Sequence, residues 1–403
     1  MAWPNGQPIN GVDSTPQAPA SCVFNGQLFL FWKANDSTNR IFFSASPDGS
    51  SWPSGQIIDG TDSTPQALAA CVFNNQMFLF WKANDSSNRI FFSASLNGTA
   101  WPAGQPIDGT DSTPDALAAC VFNNQLFLFW KANDSTNRIF FSTSANGTSW
   151  SGGQLIDGTD STPDALAACV FNNQLFLFWK ANDSTNRIFF SASSNGSSWP
   201  GGQLIDGTDS TPQALGACLF NNQLFLFWKA NDPSNAIFFS ASSSGTAWPG
   251  GQTINSVDST PQAVSAAAFN NELFLFWTAN DPSNRIFFSA ATSAQIAPQT
   301  GSFVITALQF PNNVGEGTLN APFDGLAFVV AATGATPPQS ASGNVYTVTV
   351  PAGTAITLSP IWEGAGFEIV DQNGVPTNQL ITGGATIFVQ AANVISDVKR
   401  KAS

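Results

Sequence analysis

The 403-residue chain repeats itself with a fixed period, and that period limits what it can fold into. Six Phe-Trp segments end at Trp32, Trp81, Trp130, Trp179, Trp228 and Trp277, each 49 residues after the one before. A second set, Trp3, Trp52, Trp101, Trp150, Trp199 and Trp248, keeps the same spacing, and no insertion disturbs the register. One unit starts with Asp62-Ser63-Thr64-Pro65 and an apolar run over 66–73, followed by Asn74-Asn75 and a second run over 76–83. Asn84-Asp85-Ser86-Ser87-Asn88 then leads into a third run over 89–95, and Leu96-Asn97-Gly98-Thr99 into a fourth over 101–107. Four short runs rich in Phe, Trp, Val, Leu and Ile, separated by turn residues, predict a four-stranded antiparallel meander. Asn-Asn, or Asn25-Gly26 in the first unit, suits a tight hairpin with positive φ.

Strands such as Leu28-Phe29-Leu30-Phe31-Trp32 are apolar on both faces, whereas a strand with one wet face would alternate. Four-stranded sheets packed face to face around an axis satisfy both the pattern and the unit length. The sequence therefore predicts an all-β chain with a six-bladed β-propeller over residues 1–292. A solenoid would need polar caps, which the ends do not resemble. The last repeat has three strands and lacks the Trp-bearing fourth, while Trp3-Pro4-Asn5-Gly6-Gln7-Pro8-Ile9 stands alone at the N-terminus. That segment is expected to pair with the last blade and close the ring, removing its open edges. Past a linker over 291–298, β-like runs at 303–310, 326–332, 345–350, 355–358, 367–370 and 386–389 predict a β-sandwich over 301–403. Its expected role is homo-oligomerisation or partner docking.

Hydrophobic residues make up 43% and charged residues 10%, enough for a large core and against global disorder. A net charge of -13 offers no footprint for nucleic acid or anionic lipid. No apolar run reaches the roughly 18–20 residues that span a bilayer, so no membrane insertion is expected. Met1-Ala2-Trp3-Pro4-Asn5-Gly6 shows neither a charged nor an apolar leader region, which predicts cytoplasmic synthesis without a signal peptide and any release by a non-classical route. Cys22, Cys71, Cys120, Cys169 and Cys218 occupy one equivalent position, with alanine in the sixth repeat. An odd, evenly spread set is a poor disulfide framework and reads as small buried hydrophobes.

Loops alternate between the two ends of a propeller, so the Asp-Ser-Thr-Pro loops and the Asn-Asp-Ser-Thr-Asn loops are expected on one face. This groups Trp32, Lys33, Asn35 and Arg40 with Asp13, and in the same way Trp81, Lys82, Asn84 and Arg89 with Asp62. The third and fourth units give Trp130, Lys131, Asn133, Arg138 and Asp111, then Trp179, Lys180, Asn182, Arg187 and Asp160. The last two give Trp228, Lys229, Asn231 and Asp209, then Trp277, Asn280, Arg285 and Asp258; Ala236 replaces the arginine in one and Thr278 the lysine in the other. These are the parts of a sugar site. An aromatic ring can cover the apolar face of a pyranose, while Lys, Arg, Asn and Asp bond its hydroxyls. The plainer readings are self-bonded turns for the Asp, Asn and Ser-Thr positions, core packing for the Trp32 set, and a solvated cross-strand edge for Lys33 and Arg40.

Ser46-Pro47-Asp48-Gly49-Ser50-Ser51-Trp52 resembles the Asp-box hairpin of sialidase-type propellers, one residue shorter, with Asn97, Asn146, Asn195 and Ser244 at the acid position in later repeats. The resemblance implies a structural turn whose Trp packs into the blade. Sialidases use a nucleophilic tyrosine, and the one tyrosine here, Tyr346, lies outside the repeats. With no histidine, His-based triads and His metal sites are excluded. No Asp-x-Asp-x-Asp-Gly spacing points to calcium, and no cofactor or metal is expected. Near-identical repeats generate equivalent pockets rather than one asymmetric pair of carboxylates. By architecture and repeat length the first 290 residues resemble the propeller lectins, such as the six-bladed fungal fucose-binding type and the five-bladed tachylectin type. The resemblance implies a non-enzymatic, multivalent partner of glycans or glycoconjugates. The alternative class is a protein-interaction platform or the targeting module of a toxin or defence protein.

Overall fold

The computed structural model describes residues 3–296 and, beyond them, nine strands of the C-terminal region. The repeats form six four-stranded antiparallel sheets. In the first, Ala20–Phe24, Gln27–Lys33, Ile41–Ser46 and Gln56–Ile57 pair in that order. Type I′ geometry joins the first two strands, with Asn25 at φ 48° and Gly26 at φ 70°; the later blades use two left-handed asparagines, as at Asn74 (48°) and Asn75 (59°).

The strands are shorter than the apolar runs, for local reasons. Arg40 stands outside the third strand because its backbone bridges to Ser63 of the next blade. The fourth run pairs over only two residues, with Gln56 opposite Phe43 and Ile57 opposite Phe42. Its leading Trp belongs to the preceding turn and points away from its own sheet. Trp101 meets Phe31 of the preceding blade edge-on, with centroids 5.5 Å apart and planes at 86°. Trp150, Trp199 and Trp248 repeat this contact on Phe80, Phe129 and Phe178, and Trp52 makes it on Phe276. Trp3 makes it on Phe227 at 5.9 Å and 89°. An edge-to-face pair adds about 0.5–1.5 kcal/mol to its area burial. One such contact therefore locks each of the six blade interfaces.

Asp48 holds the first of these turns, accepting from the backbone N–H groups of Ser50 (2.8 Å) and Ser51 (2.7 Å). The Trp52 indole N–H donates back to the Gly49 carbonyl at 3.1 Å. Gly49 has φ 79°, and a Cβ there would lie 2.3 Å from Phe274 of the neighbouring blade. Asn97 and Asn146 hold their turns the same way through Oδ1, so the turn needs an acceptor and not a charge.

The ring closes as its sequence predicts. Gln7 pairs with Phe288 and Pro8 with Phe287, and the Ile9 N–H donates to the Ile286 carbonyl at 2.9 Å. Trp3 is 1% exposed. At the axis, Ala18, Ala67, Ala116, Ala165, Ala214 and Ala263 form a ring of their own, bordering a central channel of about 180 Å³. The five cysteines lie on the innermost strands as free thiols. Burial pushes those of Cys22 and Cys169 up to about 12, which leaves them unreactive.

The chain divides into one compact unit over Ala2–Gln295 and a second that includes Ile296–Ser403. In the second, Gln339–Ser342, Val345–Pro351, Thr300–Ala307, Ile387–Asn393 and Gly366–Val370 form a mixed sheet in that order, with Thr300–Ala307 and Ile387–Asn393 parallel. Phe328–Ala331 pairs with Thr357–Pro360, and Trp362–Glu363 with Lys399–Arg400. The expected packing of such sheets into a sandwich, and its role in self-association, lie outside the described residues.

Candidate functional site

The two loop types share one face, and their backbones bond from blade to blade. The Thr64 N–H donates to the Asn39 carbonyl of the preceding blade at 2.9 Å, and the Thr113, Thr162, Thr211 and Thr260 groups do the same in turn. Thr15 to Asn284, at 2.8 Å, completes the circle. Side-chain amides follow this path: Asn39 donates to Asn84 at 3.4 Å, and Asn84 to Ser63 at 3.3 Å. In the same way Asn88 donates a hydrogen bond to Asn133, Asn137 to Asn182, Asn235 to Asn280 and Asn284 to Asn35. Asn39 and its equivalents sit at φ 50–54°, a conformation asparagine tolerates better than most residues. The Asn35, Asn84, Asn133, Asn182, Asn231 and Asn280 set is exposed and part of this belt, so its amides hold loops together as well as facing solvent.

Arg40, Arg89, Arg138, Arg187 and Arg285 stand at these junctions, exposed or half-exposed. No carboxylate lies within ion-pair distance of them among the described residues. Arg89 lies over the ring of Phe91 at 5.6 Å and Arg285 over Phe287 at 5.7 Å. Ala236 takes this place between the fifth and sixth blades.

The other expected site residues lie elsewhere, each for a physical reason. Trp32, Trp81, Trp130, Trp179, Trp228 and Trp277 are only 1–2% exposed, so none offers a ring face to a ligand. Trp32 stacks on Phe42 at 6.2 Å and 17°, and its far edge packs so close to Gly55 that a Cβ there would come within 2.4 Å. The half-exposed aromatic residues at the junctions are instead Phe42, Phe91, Phe140, Phe189, Phe238 and Phe287. The available signal was the alternation in Ile41-Phe42-Phe43: Ile41 and Phe43 are buried, so Phe42 must face the other way.

Asp13, Asp62, Asp111, Asp160, Asp209 and Asp258 are half-buried beneath the loops. Each lies against the glycine that precedes a fourth strand. Asp13 accepts from the Gly55 N–H at 2.8 Å, and Asp62, Asp160, Asp209 and Asp258 accept from Gly104, Gly202, Gly251 and Gly6. These carboxylates are spent on backbone donors rather than presented to a ligand. Two of them are also tied to an amide: Asn10 donates to Asp13, and Asn255 to Asp258, both at 2.7 Å. In the other four blades the partner is an acid, Asp59, Asp108, Asp157 or Asp206. Burial, then the neighbouring acid, raises Asp62 and Asp160 to about 6 and Asp111 and Asp209 to about 7.

Lys33, Lys82, Lys180 and Lys229 are 8–9% exposed and Lys131 is half-buried, all beside the axis rather than at the junctions. The Lys131 ammonium bonds the Pro163 carbonyl of the next blade and lies 3.6 Å from Asp115. Lys180 does the same with Pro212 at 2.8 Å and with Asp164 at 3.7 Å. Thr278 fills the sixth position and bonds the Gln17 carbonyl at 2.8 Å. The structure thus separates the expected cluster into a junction set (Arg and Asn, joined there by Phe), an axial set (Lys), a buried set (Trp) and a half-buried set beneath the loops (Asp).

No protein-family model and no curated protein matches the sequence. Solved structures do resemble it. The BP39L lectin from Burkholderia pseudomallei superposes with a TM-score of 0.54 at 21% identity, over 70% of this chain and 83% of that one. The SapL1 lectin, solved with α-methyl fucoside, gives 0.52 at 16% identity, over 70% and 94%. A Trypanosoma rangeli sialidase, solved with the inhibitor DANA, gives 0.51 at 12% identity, over 72% of this chain and 58% of the enzyme. At these identities the likeness is one of fold: a β-propeller shared with lectins and with a glycosidase.

Proposed function

We propose that the chain is a multivalent carbohydrate-binding protein that takes neutral sugar units at its blade junctions. The observation that carries this reading is the recurrence, at five equivalent junctions, of an exposed or half-exposed arginine with no carboxylate within ion-pair distance, beside exposed amides and a half-exposed Phe. A guanidinium offers a fixed fork of donors to adjacent hydroxyls, and the Phe edge suits the apolar face of a pyranose. The BP39L and SapL1 likenesses add support, since both are lectins and one was solved with a fucoside. Sixfold repetition argues against an enzyme, because a glycosidase builds one asymmetric centre. The propeller repeats contain no tyrosine to serve as a sialidase-type nucleophile.

A glycan array with wild type and a variant carrying Arg→Ala at 40, 89, 138, 187 and 285 tests the reading. Wild type should bind a defined set of glycans. The variant should lose that binding while keeping its melting temperature, since exposed substitutions seldom change stability by more than about 0.5 kcal/mol. Absence of binding to any glycan at high micromolar protein, or unchanged binding by the arginine variant, would end it.

A further inference from the structure

We infer that the loop-face mouth of the central channel is a separate site for an oxyanion, a carboxylate or sulfate, held by Lys33 and Lys229 on either side of Thr278. The position just before the alanine ring decides the charge there. It is Asp115 and Asp164 in the third and fourth blades, and Gln17, Gln66, Gln213 and Gln262 in the others. Where it is aspartate, the lysine of the same blade has a counter-ion at 3.6–3.7 Å. Asp115 also acts on Lys82 from the adjoining blade, and Asp164 on Lys131. Half of the mouth therefore balances three lysines with two acids.

The arc formed by the fifth, sixth and first blades contains no such acid. Lys229 is 9% exposed, with neither a carboxylate within ion-pair distance nor a hydrogen-bond partner for its ammonium among the described residues. Lys33 is 8% exposed and reaches only the Ala34 carbonyl, at 3.3 Å. The nearest acids they feel, Asp232 and Asp36, belong to exposed loop turns and are tied to Ser234 and Thr38. Burial lowers both ammonium groups, and the charge of Lys180 weighs further on Lys229. In a chain of net charge -13, two lysines with buried stems and no carboxylate within ion-pair distance of their ammonium groups, flanking a Thr278 whose hydroxyl is given to the Gln17 carbonyl, leave an uncompensated positive arc that suits an anionic ligand. Asp115 and Asp164 show which group suits such a lysine, a carboxylate oxygen. The channel beneath is lined mainly by small and aliphatic side chains, and its two serines, Ser21 and Ser265, bond each other at 2.6 Å.

The test uses the full chain and calorimetric titration at fixed ionic strength with sodium sulfate, galacturonate and galactose. Sulfate or galacturonate should bind with one site per chain, and both should weaken by about tenfold or more in a Lys33→Met/Lys229→Met variant, which keeps the stems and removes the charges. Gln17→Asp/Gln213→Asp, which supplies internal counter-ions, should abolish anion binding even if the methionine variant fails to fold. Binding of sulfate alone marks a site for free anions; binding of galacturonate as well marks one for acidic sugars. No saturable binding of either anion, or equal binding by the aspartate variant, overturns the inference. Glycan binding at the junctions is read separately, because neither variant touches the arginines.

Discussion

At the scale of single residues, the six repeats carry their own controls. Where Asn10 and Asn255 supply an N–H to the buried aspartate, the four other blades place an acid, and one carboxyl of each pair must hold a proton to make the equivalent bond. The neighbouring position changes with it. Thr61 donates its hydroxyl to Asp59 at 3.1 Å, while Val12 and Val257 stand beside the asparagines, whose amides have no spare acceptor for a hydroxyl. Native values near 6 for Asp62 and Asp160 and near 7 for Asp111 and Asp209, against about 3.9 when unfolded, mean that the folded state binds more protons between those limits. The stabilisation is fully present below about pH 4 and is lost as pH rises through 6–7. The loop acids Asp36, Asp85, Asp134, Asp183, Asp232 and Asp281 have lowered values, led by hydrogen bonds from the Ser or Thr two residues on, and act in the opposite sense below pH 4. Melting temperature is therefore expected to fall between pH 5 and pH 8 by on the order of 5 °C. Asn at 59, 108, 157 and 206 together should flatten that slope and raise the value at pH 8. A pH-independent wild-type melting temperature would refute the shared proton. None of this pairing was legible in the sequence, where Asp62 and its equivalents read as loop polar groups. The glycines that Asp62, Asp160 and Asp209 bond each lie 42 residues further along the chain.

At the scale of elements, the sequence carried most of the fold, because the repeat writes each strand and turn six times. Tight Asn turns, the acceptor-held hairpins and the closing strand all fall where local chemistry puts them. It could not indicate that the Trp52 set meets a Phe of the neighbouring blade edge-on while the Trp32 set, in the same layer between blades, stacks on a Phe of its own third strand, since both are Trp beside turn residues. Direction is set by the turn: Gly49 at positive φ turns the chain so that Trp52 crosses to Phe276. The closing strand is the weakest such element, pairing over two residues with no covalent link to the strand beside it. Its hold rests on Trp3, 1% exposed between Phe227 and Phe239. Trp3→Ala should cost about 3–5 kcal/mol, as for a large aromatic deleted from a core. Removal of residues 1–9 should cost more, because it also exposes the ladder edge of the last blade. Melting of the truncated chain at the wild-type temperature would contradict closure by this segment.

At the scale of the whole molecule, the separation of lysine from arginine changes the expected valency. With both at one site, Ala236 and Thr278 would each spoil a pocket and leave four. With lysine at the axis, only the arginine matters for a junction, so the single defective junction is the one where Ala236 meets Ser259. Five equivalent sites are then expected, each weak, since an exposed fork of donors and one Phe edge bury little of a monosaccharide. Spacing around a rigid ring gives such sites their use: on a dense glycan surface a second contact forms at millimolar effective concentration, and avidity can exceed single-site affinity by about 10²–10⁴. Titration with a monosaccharide that the array identifies should give a stoichiometry near five, and Ala236→Arg should raise it towards six without changing the single-site affinity. A stoichiometry of four would return lysine to the sugar site, and six would remove arginine from it. The same repair should strengthen binding to a glycan-coated surface by less than the first five sites do together, because avidity saturates once the sites facing one surface are engaged.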